Sequence, residues 1–375
     1  MRLYQADNAN SLYKKLLVDI IANGRIVNPR GQTTRDLGTV VSIINRPRQR
    51  LLSCFSRVLN PFMLTAEIVW ICAGRGDIKF ITYFCKDLDK FSDSGFNNFN
   101  GAYGQRIRRY GINRAGHTCI KFWDVHGGEN GFREFDQLRD IIKKLKKDKD
   151  TRQAVITLHN PIFDRAEVDT QDRPCNITSM IKIIDNKLQW HQVVRSNDCN
   201  LGLYNANIYQ WSFIQEYVAS CLGIDVGELL FFSDSLHLYE SDPITKRVLN
   251  DDRNIDIYNF IKPVKMPFNS LSMNDFIINE IINNIEDYKT GNNITNYDND
   301  FWQTINLMLE IYIDRKEGNK LEAIRKTSLI PADDFRIMAF NYHYNKAKTN
   351  EEREEIKKHI VDFAEPVQKF ITEKS

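Results

Sequence analysis

The chain has 375 residues, with 51 Lys plus Arg against 49 Asp plus Glu and a formal net charge of +2. That length accommodates two domains or one large α/β domain with an appendage, and the charge balance gives no electrostatic case for a broad nucleic-acid footprint. No run approaches the ~18 uninterrupted apolar residues of a membrane helix, and the N-terminus "MRLYQADNANSLYKKLL" lacks a signal-peptide pattern, so a reducing cytoplasm is the simplest expectation.

Apolar positions at helical spacing predict a first helix over residues 9–24, ending at Gly24. The loop "NPRGQTTRDLGT" then runs into "VVSII", a short β-branched strand. Residues 61–74, "PFMLTAEIVWICAG", read as a helix with Pro near its start and Gly past its end, and "DSGFNNFNGAYGQR" reads as loop. Between about 151 and 240 strands dominate: "QAVITLHNP", then "ITSMIKIID" turning at Asp185-Asn186 into "KLQWHQVVRS" as a hairpin. "IYQWSFIQEYVASCLGI" is a long helix ending at Gly223, and "GELLFFSDSLHLYE" returns as a strand. Hairpins mixed with long helices point to α/β or α+β architecture.

Beyond about residue 265, "FIINEIINNIEDY", "FWQTINLMLEIYIDRKEG", "PADDFRIMAFNYHYNKA" and "EEREEIKKHIVDFAEPVQKFI" all carry helical periodicity, the first two separated by the Asn-rich "KTGNNITNYDND". The expected organisation is a catalytic domain over 1–264 and an all-helical C-terminal extension over 265–375.

Seven cysteines (Cys54, Cys72, Cys85, Cys119, Cys175, Cys199, Cys221) are odd in number and form no CxxC pair, which argues against both a zinc site and a disulfide framework. A single thiol is ordinarily a buried, inert group. Cys175, in "RPCNITS", becomes a candidate nucleophile only through what accompanies it. "RSND" at 195–198 supplies an arginine, a hydroxyl, an amide and a carboxylate, a set able to hold a phosphate; on their own, those four residues fit a turn at a strand end equally well.

The ordered set "RPC", "RSNDCNLG", "NANIYQW" and "HLY" resembles the thymidylate synthases and the related pyrimidine-nucleotide hydroxymethylases. "RDLGTVVSI", "AEIVW", "GAYGQR" and "DTRQAVI" extend the resemblance over roughly residues 10–245. It implies a mixed sheet with surrounding helices and a Cys175 thiolate that adds to C6 of a pyrimidine nucleoside monophosphate, so that C5 can attack the one-carbon unit of 5,10-methylenetetrahydrofolate. It implies Glu67 for proton movement at O4 and C5, Tyr103 for C5 deprotonation and Asp198 for placing the pterin or the pyrimidine. Arg35, Arg195, Ser196 and, across a homodimer interface, Arg152 would hold the phosphate, and His237 and Tyr239 the sugar. For the base, direct counting from Gly202 lands on Ala206, which can neither donate nor accept. One inserted residue brings Asn207 there, with Asn205 as the other candidate; an amide suits uracil, whereas a carboxylate suits cytosine.

The chain also departs from a standard thymidylate synthase. Asn176 follows Cys175 where His is usual, "KDLDKFSDSGF" replaces a Trp-rich folate-side segment, and Ser235 stands where Asp is usual. A long helical extension ending "FITEKS" replaces the short apolar terminus that closes over folate. Methyl and 5-hydroxymethyl products are both compatible with this pattern. A dUMP-like substrate is favoured, with dCMP or CMP hydroxymethylation as the alternative and a non-catalytic nucleotide-binding or interaction protein as a further one.

Overall fold

A computed structural model describes residues 1–118, 121–122, 131–132, 134–290 and 296–373; Cys119, residues 291–295 of the Asn-rich linker and the last two residues of "FITEKS" lie outside. In chain order the elements are β1 (Arg2–Ala6), α1 (Ala9–Asn23), β2 (Arg25–Val27), β3 (Thr34–Asp36), β4 (Val40–Ile44), α2 (Pro61–Cys72), α3 (Ile78–Phe84), α4 (Tyr103–Arg108), β5 (Lys121–Phe122), β6 (Gly131–Phe132), α5 (Gln137–Lys147) and β7 (Val155–Thr157). They continue with β8 (Asn176–Ile184), β9 (Lys187–Val194), β10 (Asn197–Asp198), a π-helical stretch over Cys199–Asn207, α6 (Ile208–Leu222), β11 (Asp225–Ser233), β12 (Leu236–Tyr239) and α7 (Pro243–Leu249). The remaining helices are α8 (Leu271–Lys289), α9 (Asp300–Lys316), α10 (Lys320–Thr327), α11 (Asp333–Lys346), α12 (Asn350–His359) and α13 (Glu365–Thr372). This is the mixed α/β architecture expected from the sequence.

The principal sheet has six strands in the order β1-β4-β11-β9-β8-β7. Its pairs β1/β4 and β11/β9 are parallel and the rest antiparallel. The β8/β9 hairpin turns at Asp185 and Asn186, both in the left-handed region at φ 50 and 56. That is the pattern of a tight turn matched to strand twist, and Asp and Asn tolerate it best after Gly. A second sheet, β10-β12-β3-β2, sets Asp198 beside His237 and His237 opposite Asp36. The stretch 227–240, which reads as one strand by sequence, is thus broken at Asp234-Ser235 into β11 and β12, and each half joins a different sheet.

Helix α6 packs on β9 and β11, and every residue from Ile208 to Cys221 is buried. A helix apolar on nearly all sides belongs in a core rather than at a surface, and Gly223 at φ 68 ends it. The later helices close the side of α6 turned away from the sheet, with Phe301 against Phe213 and Phe335 against Tyr209. Phe62 of α2, fully buried, meets the rings of Tyr312, Tyr342 and His343 at centroid distances of 6.1, 5.5 and 5.4 Å. Arg108 grips Asp275 of α8 with two 2.8 Å bonds, while Tyr217 of α6 donates to the same carboxylate at 2.6 Å. Helices α8 to α13 therefore share one continuous apolar core with the sheet domain.

The segment 351–371, periodic throughout, splits into α12 and α13, with Pro366 in the first turn of α13; proline is tolerated there but not inside a continuous helix. Helix α10 falls between stretches the periodicity had picked out. Among the described residues no helix is long and apolar enough to cross a membrane, and the six described cysteines are free thiols.

Because the core is shared, the chain is expected to unfold in a single transition by both calorimetry and circular dichroism, and Phe62→Ala to cost about 3–5 kcal/mol. Two separated transitions would instead show that residues 271–372 form an independent unit.

Candidate active site

Cys175 sits one residue before β8, half-buried, and its carbonyl accepts from the Arg195 backbone N–H at 2.9 Å. The Arg195 guanidinium folds back on the same segment, donating to the carbonyls of Pro174 at 3.0 Å and Arg173 at 3.1 Å. An arginine has five N–H donors, so this clip holds the fork beside the thiol with donors to spare for an anion. Burial pushes the Cys175 thiol up, the Arg195 charge pulls it down, Asp172 pushes it up and Arg30 pulls it down, with a net rise. The bare pocket therefore favours the thiol over the thiolate.

Arg30 was not singled out by sequence. It lies in the turn Pro29–Gly31 at φ 52, a left-handed conformation that few residues other than glycine adopt. Arg35, by contrast, donates its Nε to Glu240 and Nη1 to the Ile21 carbonyl at 3.1 Å. Of the two loop arginines, Arg30 is the one whose charge reaches Cys175. The motif "NPRG" could have pointed to it, since Asn-Pro-x-Gly marks a tight turn that projects its third residue. Ser196 is half-buried between β9 and β10, and Arg152 is exposed just before edge strand β7, without an ion-pair or hydrogen-bond partner among the described residues.

Glu67, partly buried on α2 between buried Ala66 and Ile68, has its pKa pushed up to about 7 by burial, offset in part by a hydrogen bond from Gln210 of α6. A carboxyl held near neutrality can both hold and release a proton at physiological pH.

Tyr103 opens α4 and accepts from the Asn176 amide at 2.8 Å. Asn176 also donates to Asn207 Oδ1 at 3.1 Å and accepts from the Trp211 indole N–H at 3.0 Å, while Asn207 donates to Asn197 Oδ1 at 3.0 Å. The π-helical stretch over 199–207 absorbs one extra residue ahead of α6. At its end Asn207, rather than Ala206, joins this buried network; Asn205 is half-buried on the same stretch and does not join it. Gly202 makes room, since a Cβ there would come within 2.8 Å of Asn197 Oδ1.

Asp198 caps the π-helical stretch by accepting from Leu201 N–H, and its second oxygen is buried without a hydrogen-bond partner. Burial pushes this carboxyl up. An unpartnered buried acceptor suits an N–H-bearing heterocycle such as a pterin, because an unmet acceptor otherwise carries its desolvation cost. His237 and Tyr239 share one face of β12 with their rings 5.5 Å apart. The Ser235 hydroxyl lies 3.3 Å from His237 Nδ1 and donates to Asp36 Oδ2 at 3.1 Å. Asp36 is thus the carboxylate that Ser235 meets, on the strand opposite His237. A cavity of about 400 Å³ elsewhere, lined in part by Phe260, Arg336, His359 and Val367, contains none of these groups.

The mixed α/β fold thus carries a thiol acted on by two arginines, a buried amide network beside it and, on α2, a carboxyl held near neutrality. The family model described as thymidylate synthase matches residues 11–300, and the chain belongs to that family. It is similar to the deoxyuridylate hydroxymethyltransferase of Bacillus phage SP01, 37% identical over 243 residues covering 64% of this chain and 60% of that one. The protein of the same name from Pseudomonas phage M6 is 32% identical over 202 residues, 54% of this chain and 51% of that one. The putative thymidylate synthase of Methanosarcina mazei is 26% identical over 244 residues, 64% of this chain and 91% of that one. The chain thus spans about half to three fifths of the length of the phage relatives.

The Glu67 shift has a stability consequence. A folded-state pKa of about 7 against an ordinary 4.5 means that folding disfavours the ionised form. The stability associated with it is present below pH ~4.5, declines as pH rises and is lost above pH ~7. Glu67→Gln should therefore raise unfolding free energy by up to about 3 kcal/mol at pH 8 and leave it unchanged at pH 4, by urea denaturation. Equal stability of the two proteins at pH 8 would mean that Glu67 is not held protonated.

Proposed function

We propose that the chain catalyses folate-dependent hydroxymethylation of C5 of a deoxyuridylate-type nucleotide. The observation that carries this reading is the Arg195 guanidinium clipped onto the segment that carries Cys175, its charge acting on the thiol, with the Asn207 amide bonded to Asn176 next along the chain. The name borne by the phage relatives, deoxyuridylate hydroxymethyltransferase, supports the base and the product.

In this reading Arg30 and Arg195, with Ser196 and Arg35 nearby on the same strands and loop, receive the phosphate dianion, for which the guanidinium fork is well matched. Cys175 Sγ adds to C6 and breaks the ring's conjugation, which makes C5 a carbon nucleophile. Glu67 protonates O4 as charge accumulates there and takes the proton back later, and the Tyr103 hydroxyl assists removal of the C5 proton. His237 and Tyr239 hold the sugar. Methylenetetrahydrofolate, when bound, supplies an electrophilic one-carbon unit, and Asp198, with its unpartnered oxygen, would hold its pterin. Loss of the C5 proton with departure of tetrahydrofolate would leave an exocyclic methylene on the ring still bound to Cys175, and addition of water to that methylene expels Cys175 from C6. Nucleotide, donor and water thus give the 5-hydroxymethyl nucleotide and tetrahydrofolate, without change of oxidation state. Helix α13 is tied into the core through Phe370 and Ile371, both fully buried, so this segment is not a flap that excludes water.

The expected partner is a second copy. The sheet face away from α6 leaves Leu3 at 65%, Val155 at 41% and Met180 at 46% exposure, together with Val41, Val193 and Phe232 alternating on the same side. Such a face needs a cover, and Arg152 lies next to its β7 edge. Sedimentation should give a dimer and Met180→Asp a monomer; a monomeric native chain would remove Arg152 from the phosphate site.

Incubation with 5-fluoro-dUMP and methylenetetrahydrofolate should give a covalent adduct by intact mass, absent in Cys175→Ala, and dUMP should yield a 5-hydroxymethyl product. A folded protein that forms no adduct would overturn the C6-addition mechanism, and a thymidylate product would overturn the hydroxymethyl reading.

A further inference from the structure

The buried amides around Cys175 have a direction, and one residue sets it. Trp211 Nε1 can only donate, so at 3.0 Å it fixes the neighbouring Asn176 oxygen toward itself. The Asn176 NH2 must then face the other way, donating to Asn207 Oδ1 at 3.1 Å and to the Tyr103 hydroxyl at 2.8 Å. With its oxygen engaged there, Asn207 turns its NH2 to Asn197 Oδ1 at 3.0 Å, and Asn197 donates to the Ser233 hydroxyl at 2.9 Å. Trp211, Asn176, Asn197 and Ser233 are each essentially inaccessible to solvent, so no water can rescue a reversed amide. Ser233 and Tyr103 are hydroxyls, able to donate or accept, and impose no sense. The polarity of the whole relay therefore originates at the Trp211 indole.

The geometry points to Trp211 and Asn176 as positioning residues that decide which pyrimidine the pocket accepts, by locking the amide of Asn207 in one of its two orientations. This rests on reading Asn207 as the residue that faces the base. As held, Asn207 has one lone pair left on Oδ1 and one hydrogen left on Nδ2, a pair that matches the N3–H and C4 carbonyl of uracil. Cytosine presents the reverse pair, a bare N3 and an exocyclic NH2. To meet it Asn207 must flip, which places NH2 against the NH2 of Asn176 and carbonyl against the carbonyl of Asn197. Each such buried mismatch leaves groups unsatisfied. Base choice is in this way made outside the contact layer, by a tryptophan one turn along α6.

The relay can be reversed with one isosteric change. In Asn176→Asp, one carboxylate oxygen accepts from Trp211 and the other can only accept from Asn207, which must then present its NH2. Asn197 follows, and the amphoteric Ser233 permits it. Affinities for dUMP and dCMP by calorimetry, and the corresponding kcat/KM ratio, should shift toward cytosine by roughly tenfold or more relative to the native chain. The shift should fade at low pH, as the carboxyl gains a proton and again becomes a donor. Trp211→Phe removes the indole donor and should narrow the preference without inverting it, and Asn176→Asp decides the matter if the phenylalanine variant does not fold. Equal weakening of both nucleotides, with the ratio unmoved, would give these residues a merely structural role and overturn the proposal while leaving the uracil site standing. A native chain that binds neither nucleotide would overturn the reading of the pocket itself, and the relay with it.

Discussion

Helix α6 is buried on all sides yet carries polar groups, and the rest of the molecule is arranged to meet them. Buried donors and acceptors must find partners, because an orphan inside a core costs more than a typical hydrogen bond returns. Gln210 meets Glu67 on α2, Trp211 meets Asn176 at the start of β8, and Gln215 donates to the Leu188 carbonyl of β9 at 2.7 Å. Glu216 is embraced by Arg48 and Arg50; burial alone would raise its carboxyl, but the two guanidinium groups outweigh it and hold it below the ordinary range. Ser220 donates to the carbonyl of Pro267 in the link to α8. One helix thus fixes the acid, the strand that carries the thiol, the N-terminal loop and the approach to the later helices.

The pocket balances burial against charge. Desolvation raises both the Cys175 thiol and the Glu67 carboxyl, but only the thiol has arginines beside it. The two groups consequently respond differently to a bound dianion. A phosphate placed on Arg195 and Arg30 would offset the charge that now favours the thiolate, so the same arginines must serve two anions, and the clip of Arg195 onto the Arg173 and Pro174 carbonyls keeps its plane in place while they do. Glu67, with only an amide for company, stays near neutrality.

Much of this was legible in the sequence. The helices at 61–72 and 208–222, the hairpin turning at Asp185-Asn186 and the end of α6 at Gly223 follow from periodicity and from residues that tolerate positive φ. The break of 227–240 into two sheets was not legible, because both halves are β-prone and only their different partners separate them. The split between α12 and α13 had a local signal in Pro366, outweighed by continuous periodicity. At the site, the family's motifs named Cys175, Glu67, Tyr103, Arg195 and Asn207. Arg30 was not singled out, and Gln210, Asn197, Trp211 and Asp36 stood inside the motifs without the bonds they make, since each meets a partner that only the fold brings near.

What the sequence determined by itself is local: which stretches prefer helix or strand, where turns must fall and which side chains carry usable chemistry. The tertiary structure alone decided how those side chains are oriented and charged. Asn207 is an amide with two equivalent faces until Asn176 and Asn197 are packed on either side of it, and Asn176 has no direction until a tryptophan from α6 reaches it. Glu67 is an ordinary carboxylate in the chain and a near-neutral acid only once α2 is buried. On paper Arg35 alone carries a role, and the fold ties it to Glu240 while it brings the charge of Arg30 to the thiol. In each case the deciding quantity is burial combined with the direction of a hydrogen bond, and both arise only when distant segments meet in the absence of water.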